Sequence, residues 1–117
     1  MLMLVCTPDP QAAEAISRSL RAAGYSAIAT VSVERAIEVV RRAASTLDAV
    51  ILDVALGDDA CSSTSVAISA LAPCLEVVIA GEPTREAAEG FATAAIAFDA
   101  LVPHMHALAA ARSGQRI

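Results

Sequence analysis

The fold is decided by the stretch Ala49-Val50-Ile51-Leu52-Asp53, in which four apolar residues are followed by a carboxylate. A short apolar run without alternation is typical of a strand that is buried on both faces of a sheet. Open α/β sheets place their ligands and their chemistry at the carboxyl ends of such strands. Asp53 is therefore the first candidate functional residue of the chain.

The segments on both sides of Asp53 alternate between the patterns of strands and of helices. Apolar runs predict five strands, at residues 2–6, 25–31, 47–54, 75–80 and 99–102. Helical spacing predicts a helix after each strand. The first begins with Asp9 as cap and Pro10 as its first residue and ends at Gly24 in the left-handed conformation; Ser32 caps the second, and a weak third at 63–71, a fourth at 84–94 and a last helix from Pro103 follow. This α/β pattern predicts a single domain at 1–112, a five-stranded, doubly wound parallel sheet, followed by a tail at 113–117.

Composition and charge disfavour several kinds of partner. The 117 residues carry a net charge of −5, and the eight basic residues, all arginines, form no cluster longer than Arg41-Arg42. Nucleic acids and anionic membranes need a cationic surface, so neither is expected to bind. The apolar start of the chain is too short for a signal sequence and no stretch approaches a membrane span, so we expect a cytoplasmic protein.

The cysteines and histidines do not form a recognisable metal or catalytic motif. Cys6, Cys61 and Cys74 are widely spaced and odd in number, which predicts reduced thiols, with Cys6 in a strand and Cys61 in a loop. His104 and His106 stand two apart and fall on different sides of a helix. No metal site is expected, and with no nucleophile motif in the sequence we expect a protein that is not an enzyme.

The pattern resembles the receiver domain of bacterial response regulators, the CheY-like family, over nearly the whole chain. The resemblance rests on Val50 to Leu56, similar to the family's strand that ends in the phospho-accepting aspartate, and on Asp9-Pro10 followed by Ala23-Gly24-Tyr25. The gap from Asp53 to Pro103 also fits the family's spacing. The resemblance implies a flavodoxin-like (βα)5 fold with strand order 2-1-3-4-5 and a role in two-component, phosphorelay signal transduction.

The chain departs from the receiver pattern at the positions that carry the chemistry. The resemblance places the family's acidic pair on Thr7 and Pro8, its hydroxyl residue on Ala80 and its lysine on Val102. Phosphoryl transfer to a carboxylate brings two anions together and needs a divalent cation to neutralise them. Asp53 alone offers one ligand, so efficient phosphorylation is not expected.

Three functions remain compatible with these residues. The favoured one is an atypical (pseudo-) receiver domain that binds a protein partner or forms a homodimer, without phosphorylation and without a cofactor. An alternative keeps phosphorylation of Asp53, with Mg²⁺ held partly by Asp9 and by Asp58 or Asp59. A further alternative is a flavodoxin-like binder of a small ligand, which the scarcity of aromatic residues and the glycine-free loop at 6–10 disfavour.

The resemblance also implies where partners bind. Receiver domains use the surface of the fourth helix, the fifth strand and the fifth helix. The interface candidates on that surface are Ala87, Phe91, Ala94, Phe98, Leu101, His104 and Leu108. Asp53 itself, without a metal, is expected to be hydrogen-bonded to nearby backbone amides or to water.

Overall fold

Four parallel strands form the sheet in the computed structural model, which describes residues 1–81 and 96–114 and the side chains of these as far as residue 111. The strands are β1 (Leu2–Cys6), β2 (Ser26–Thr30), β3 (Ala49–Asp53) and β4 (Glu76–Ala80). The helices are α1 (Pro10–Ala22), α2 (Val33–Ala43), α3 (Asp58–Leu71) and α4 (Leu101–Gly114). Short 3₁₀ turns occupy Val54–Leu56 and Phe98–Ala100.

The order of the strands is β2-β1-β3-β4, so β1 and β3 lie in the middle of the sheet. Cys6 pairs with Leu52 across β1 and β3, and Asp53 pairs with Ala80 across β3 and β4. This register brings the carboxyl ends of the three strands to one edge. The α/β class, the parallel sheet and the first four positions of the predicted order are confirmed.

Local sequence explains where the first two helices begin. The Asp9 side chain accepts a hydrogen bond from the Gln11 amide (3.0 Å), and Pro10 fills the first helical position. The Ser32 hydroxyl accepts from the Arg35 amide (3.2 Å) at the start of α2. Gly24, with φ of 95°, adopts the left-handed conformation that follows α1. All three features were predicted from the sequence.

The core lies on both faces of the sheet. Residues of β1 alternate between them, so that Leu4 and Cys6 pack with α2 and α3 while Met3 and Val5 pack with α1 and α4. This two-sided burial is why the strands read as continuous apolar runs. At one end, the Tyr25 hydroxyl shares a hydrogen bond with Nδ1 of His106 and joins α4 to the start of β2.

The fifth strand predicted at 99–102 is wrong. These residues lie in the 3₁₀ turn Phe98–Ala100 and in the first turn of α4. Pro103 is accommodated as the third residue of α4, because the amides of a first helical turn have no partner within the helix and a proline there costs nothing. Among the described residues, β4 is met on its outer side only by Ile96, through a single parallel bridge to Ala80.

Two further predictions need correction or lie outside the described residues. The third helix begins at Asp58 rather than Ser63, because Asp58 and Asp59 in its first turn interact favourably with the helix dipole; Cys61 is therefore helical and not in a loop. The helix predicted at 84–94 falls outside the described residues. None of the helices described up to residue 114 is long and apolar enough to span a bilayer.

Candidate functional site

The site is built on a direct contact between the ends of β1 and β3. The Thr7 hydroxyl donates a hydrogen bond of 2.7 Å to Oδ2 of Asp53. The Ala55 amide donates to the other oxygen, Oδ1, at 2.9 Å. Thr7 is 0% and Asp53 5% exposed, so the carboxylate is enclosed and each of its oxygens already has a donor from the chain.

Backbone geometry holds both residues in place. The Thr7 amide donates to the Thr30 carbonyl (3.2 Å), which continues the β1–β2 ladder by one residue and fixes the direction of the Thr7 side chain. Asp53 ends β3 and caps the 3₁₀ turn that follows, since its side chain accepts from Ala55. The contact between Thr7 and Asp53 is thus positioned by a strand ladder on one side and by a turn on the other.

Gly81 closes the site from the side of β4. Its φ is 132°, and a Cβ there would lie 2.7 Å from Cγ2 of Val54, 3.1 Å from Oδ1 of Asp53 and 3.3 Å from Cζ of Phe98. Only glycine fits so close to the carboxylate. The preceding residue, Ala80, is 0% exposed and presents a methyl group where the receiver family has a hydroxyl.

The remaining acidic candidates do not join Asp53 in hydrogen bonds. The Asp9 side chain is exposed and caps α1, as expected from its position before Pro10. Asp58 and Asp59 lie in the first turn of α3. Among residues 1–81 and 96–114, no group of three His, Cys, Asp or Glu side chains has the geometry of a metal site.

Two buried thiols, those of Cys6 and Cys61, lie near Asp53. The Cys61 thiol donates a 3.4 Å hydrogen bond to the Asp53 carbonyl oxygen. Burial raises the pKa of the Cys6 thiol to about 11, and the nearby Cys61 and Asp53 act in the same direction. Burial also raises the pKa of Cys61, with Asp53 and Asp58 contributing. Both cysteines are therefore protonated, unreactive thiols at neutral pH, while Cys74 is exposed.

The family's lysine position, Val102, is not beside Asp53 on a strand end. It lies half-buried in the first turn of α4 and lines a groove of about 240 Å³ between α1 and α4. Phe98 and Leu101 line the same groove together with residues of α1. The groove is apolar, and it is separate from the Thr7–Asp53 contact.

The predicted interface residues fall into three groups. Ala87, Phe91 and Ala94 lie outside the described residues. His104 is exposed, and Phe98 and Leu108 are half-buried. Leu101 is only 2% exposed and packs in the core with Met105, so it contributes to the attachment of α4 and offers little surface to a partner.

The sequence analysis placed functional positions of the receiver family on Thr7, Asp53 and Ala80, but it did not predict the hydrogen bond between the Thr7 hydroxyl and the Asp53 carboxylate. The predicted strand order puts β1 beside β3, but which residues lie opposite one another depends on the register, in which Cys6 pairs with Leu52 and the next two residues come to face each other. Those residues are Thr7 and Asp53. Gly81 was missed as well, although a glycine directly after a buried strand often marks a close approach of the backbone to another group.

Comparison with known proteins finds similar folds in a response regulator and in two proteins assigned to pilus assembly. No protein-family model and no curated protein matches the chain. A response regulator from Thermotoga maritima has a similar structure, with a TM-score of 0.71 and 16% identity over 92% of this chain and 95% of that one. A protein provisionally assigned to pilus assembly (CpaE) from Burkholderia thailandensis gives 0.68 and 20% over 94% and 98%.

A third solved structure, of a protein provisionally assigned as pilus assembly-related from Burkholderia pseudomallei, has a TM-score of 0.69 and 17% identity over 94% of this chain and 90% of that one. At this level of identity the similarity concerns the fold and not the activity. The chain has the receiver-like, flavodoxin-like fold of response regulators, as the sequence predicted.

Proposed function

We propose that the chain is a receiver-like signalling domain that acts by binding proteins and does so without phosphorylation of Asp53. The observation that carries this proposal is the buried 2.7 Å hydrogen bond from the Thr7 hydroxyl to the Asp53 carboxylate. A phospho-accepting carboxylate must present one oxygen to phosphorus and the other to a cation. Here each oxygen accepts a hydrogen bond from the chain itself.

The side chains around Asp53 support the same proposal. Thr7 and Pro8 bring no negative charge that could hold Mg²⁺ beside the carboxylate, and Ala80 and Val102 bring neither a hydroxyl nor an ammonium group to the phosphoryl oxygens. Each missing transition-state contact of this kind is worth about 2–4 kcal/mol. The cofactor-free state is accordingly part of the proposal.

The absence of a hydroxyl at Ala80 also bears on signalling. A phosphorylation switch needs a group near the carboxylate that changes its orientation when the phosphoryl group arrives. Ala80 pairs with Asp53 across the sheet and is completely buried, yet it carries only a methyl group. We infer a domain with one constant conformation, whose binding in the cytoplasm is controlled by the presence of its partner or by its own association.

The proposed contact surface includes the exposed side of α4, with His104 and the half-buried Leu108, and Phe98 in the 3₁₀ turn before that helix. It serves either a protein partner or a second copy of the chain. Sedimentation velocity over a range of concentrations tests the homodimer. A dimer through this surface is expected to dissociate in the variant His104→Glu/Leu108→Glu and to persist in Asp53→Asn.

The second candidate function is phosphorylation of Asp53, which is favoured by the position of its carboxylate at the end of a central strand. Incubation with acetyl phosphate and Mg²⁺, followed by mass measurement of the intact protein, separates the two. The proposal expects no adduct. An adduct that is stable in acid, labile in base and lost in Asp53→Ala would overturn it.

A further inference from the structure

We propose that the open edge of β2 binds an extended acidic segment of a partner protein, which pairs with the free backbone of the strand and places its carboxylates on Arg21 and Arg35. This surface lies away from α4, and the proposal goes beyond the function proposed above. It stands on five separate observations, and none of them concerns the phosphorylation of Asp53.

The first observation is the direction of the β2 backbone. The Ser26 amide donates to the Met1 carbonyl (3.0 Å), and the Thr30 carbonyl accepts from the Thr7 amide (3.2 Å), so these two residues bond towards β1. Backbone groups alternate in direction along a strand, so those of Ile28 also face β1 while the amides of Ala27 and Ala29 lie on the open side. β2 ends the described sheet, and no described strand pairs with that side.

The second observation is that the residues of β2 itself supply none of the usual protection of an edge strand. Edge strands are commonly shielded by charged side chains, prolines or bulges, because an open ladder recruits another chain. Residues 26–31 contain no charge and no proline, and Ile28 and Val31 are 40% and 49% exposed. Addition of a strand to such an edge is a recurrent way of binding peptides.

The third observation is the shape of the groove that runs along this edge. Its volume is about 570 Å³, and it is lined by one face of α1, by the end of β2 and by the start of α2. The α1 face extends from Pro10 to Arg21, which corresponds to about 16 Å at the rise of a helix. An extended chain of about five residues has that length. The groove therefore suits a peptide strand better than a single small anion.

The fourth observation is its charge. Three of the five arginine side chains that the structure describes form ion pairs with glutamates on their own helices. Arg21 and Arg35 do not, and both line this groove. Arg21 donates to the Ala27 carbonyl (3.1 Å) and so already caps one group of the open edge. The one glutamate lining the groove, Glu14, is neutralised by Arg18 at 2.6 Å.

A buried hydroxyl in the same groove also lacks a partner. Ser17 is 2% exposed, its oxygen makes no hydrogen bond, and it lines the groove on the α1 side. Buried polar groups are nearly always hydrogen-bonded, so this hydroxyl is available to pair with a ligand that occupies the groove. A peptide carboxylate or main-chain group can fill this role.

The test uses the full chain and a fluorescein-labelled pool of heptapeptides in which Asp or Glu alternates with Val, Ile, Thr or Ser. Fluorescence polarisation is measured for the wild type, for Arg21→Gln/Arg35→Gln and for the control Arg41→Gln/Arg42→Gln, which has the same net charge but changes paired arginines outside the groove. We expect at least tenfold weaker binding in the first double variant and less than a twofold change in the control. Equal binding by the wild type and both variants, or no saturable binding at millimolar peptide, overturns the proposal.

Two further arms identify the type of ligand. A pool that is N-methylated at alternate amides tests the backbone pairing and is expected to bind at least tenfold more weakly than the unmodified pool. Inorganic phosphate is expected not to displace the peptide at equal concentration. Unchanged binding of the methylated pool, or displacement by phosphate at the same concentration, would assign the groove to a small anion and overturn the peptide proposal. Melting curves confirm that each variant is folded.

Discussion

Removal of the Thr7 hydroxyl should destabilise the protein, because this group donates to the buried Asp53 carboxylate. Thr7→Val keeps the shape of the side chain but takes the donor away from Oδ2 of Asp53, which is 5% exposed and cannot turn to water. A hydrogen bond to a charged group contributes about 1.5–3 kcal/mol, and the oxygen left unpaired adds to the loss. We expect the free energy of unfolding to fall by about 2 kcal/mol, or the Tm by about 8 °C for a chain of this length.

A double-mutant cycle with Asp53→Asn isolates the contact. In the background of Asp53→Asn, where the side chain is neutral, Thr7→Val should cost about 1 kcal/mol, because only a neutral hydrogen bond is then lost. Urea denaturation followed by circular dichroism gives the four free energies of unfolding. Thr7→Ser, which keeps the hydroxyl, serves as the control and should retain most of the stability. A coupling energy of zero within error would refute the role that we assign to this hydrogen bond.

Three more predictions concern a buried hydroxyl of α3 and two residues close to Asp53, each measured by urea unfolding. Thr64→Val should raise stability by about 1 kcal/mol, because the Thr64 hydroxyl is buried without a hydrogen-bond partner; a loss of stability would show a partner in solution. Gly81→Ala should lower the free energy of unfolding by at least about 2 kcal/mol more than Gly57→Ala does. Both glycines have positive φ, but only at Gly81 would a Cβ clash, at 2.7 Å from a Val54 methyl. Equal losses in the two variants would contradict the steric argument. Because the pKa of the Cys6 thiol is raised to about 11 in the folded protein, this group contributes to stability below pH 9, its unperturbed pKa, and the contribution is lost as the pH rises towards 11. The free energy of unfolding should therefore decline less steeply with pH in Cys6→Ala than in the wild type. Parallel curves for the two proteins would contradict the burial of that thiol.

The sequence predicted the central part of the fold because its signals there are local and agree with one another. The strand at Ala49–Asp53 is an uninterrupted apolar run, and α1 has a capping carboxylate followed by a proline. The fifth strand could not be predicted in the same way. The apolar residues before Pro103 fit a short strand and a first helical turn equally well, and only packing against α1 and β4 selects the helix.

The candidate site, too, could be predicted from the sequence only in part. Asp53 could be found from its place at a strand end, since that depends on one segment alone. Its hydrogen bond with Thr7 depends on the register between β1 and β3, which a pattern along the chain does not specify. The paired and unpaired arginines could not be separated from the sequence either, because Arg21 reaches the Ala27 carbonyl across the α1–β2 turn rather than an acidic residue on its own helix.

The account as a whole depends on the claim that Asp53 is held by Thr7 and does not accept a phosphoryl group. Beryllofluoride mimics an aspartyl phosphate, and ¹⁹F NMR resolves its bound form from the free one. With Mg²⁺ and millimolar beryllofluoride, we expect the spectrum to contain resonances of the free species alone, identical for the wild type and Asp53→Ala. A bound resonance in the wild type that disappears in Asp53→Ala would contradict the account.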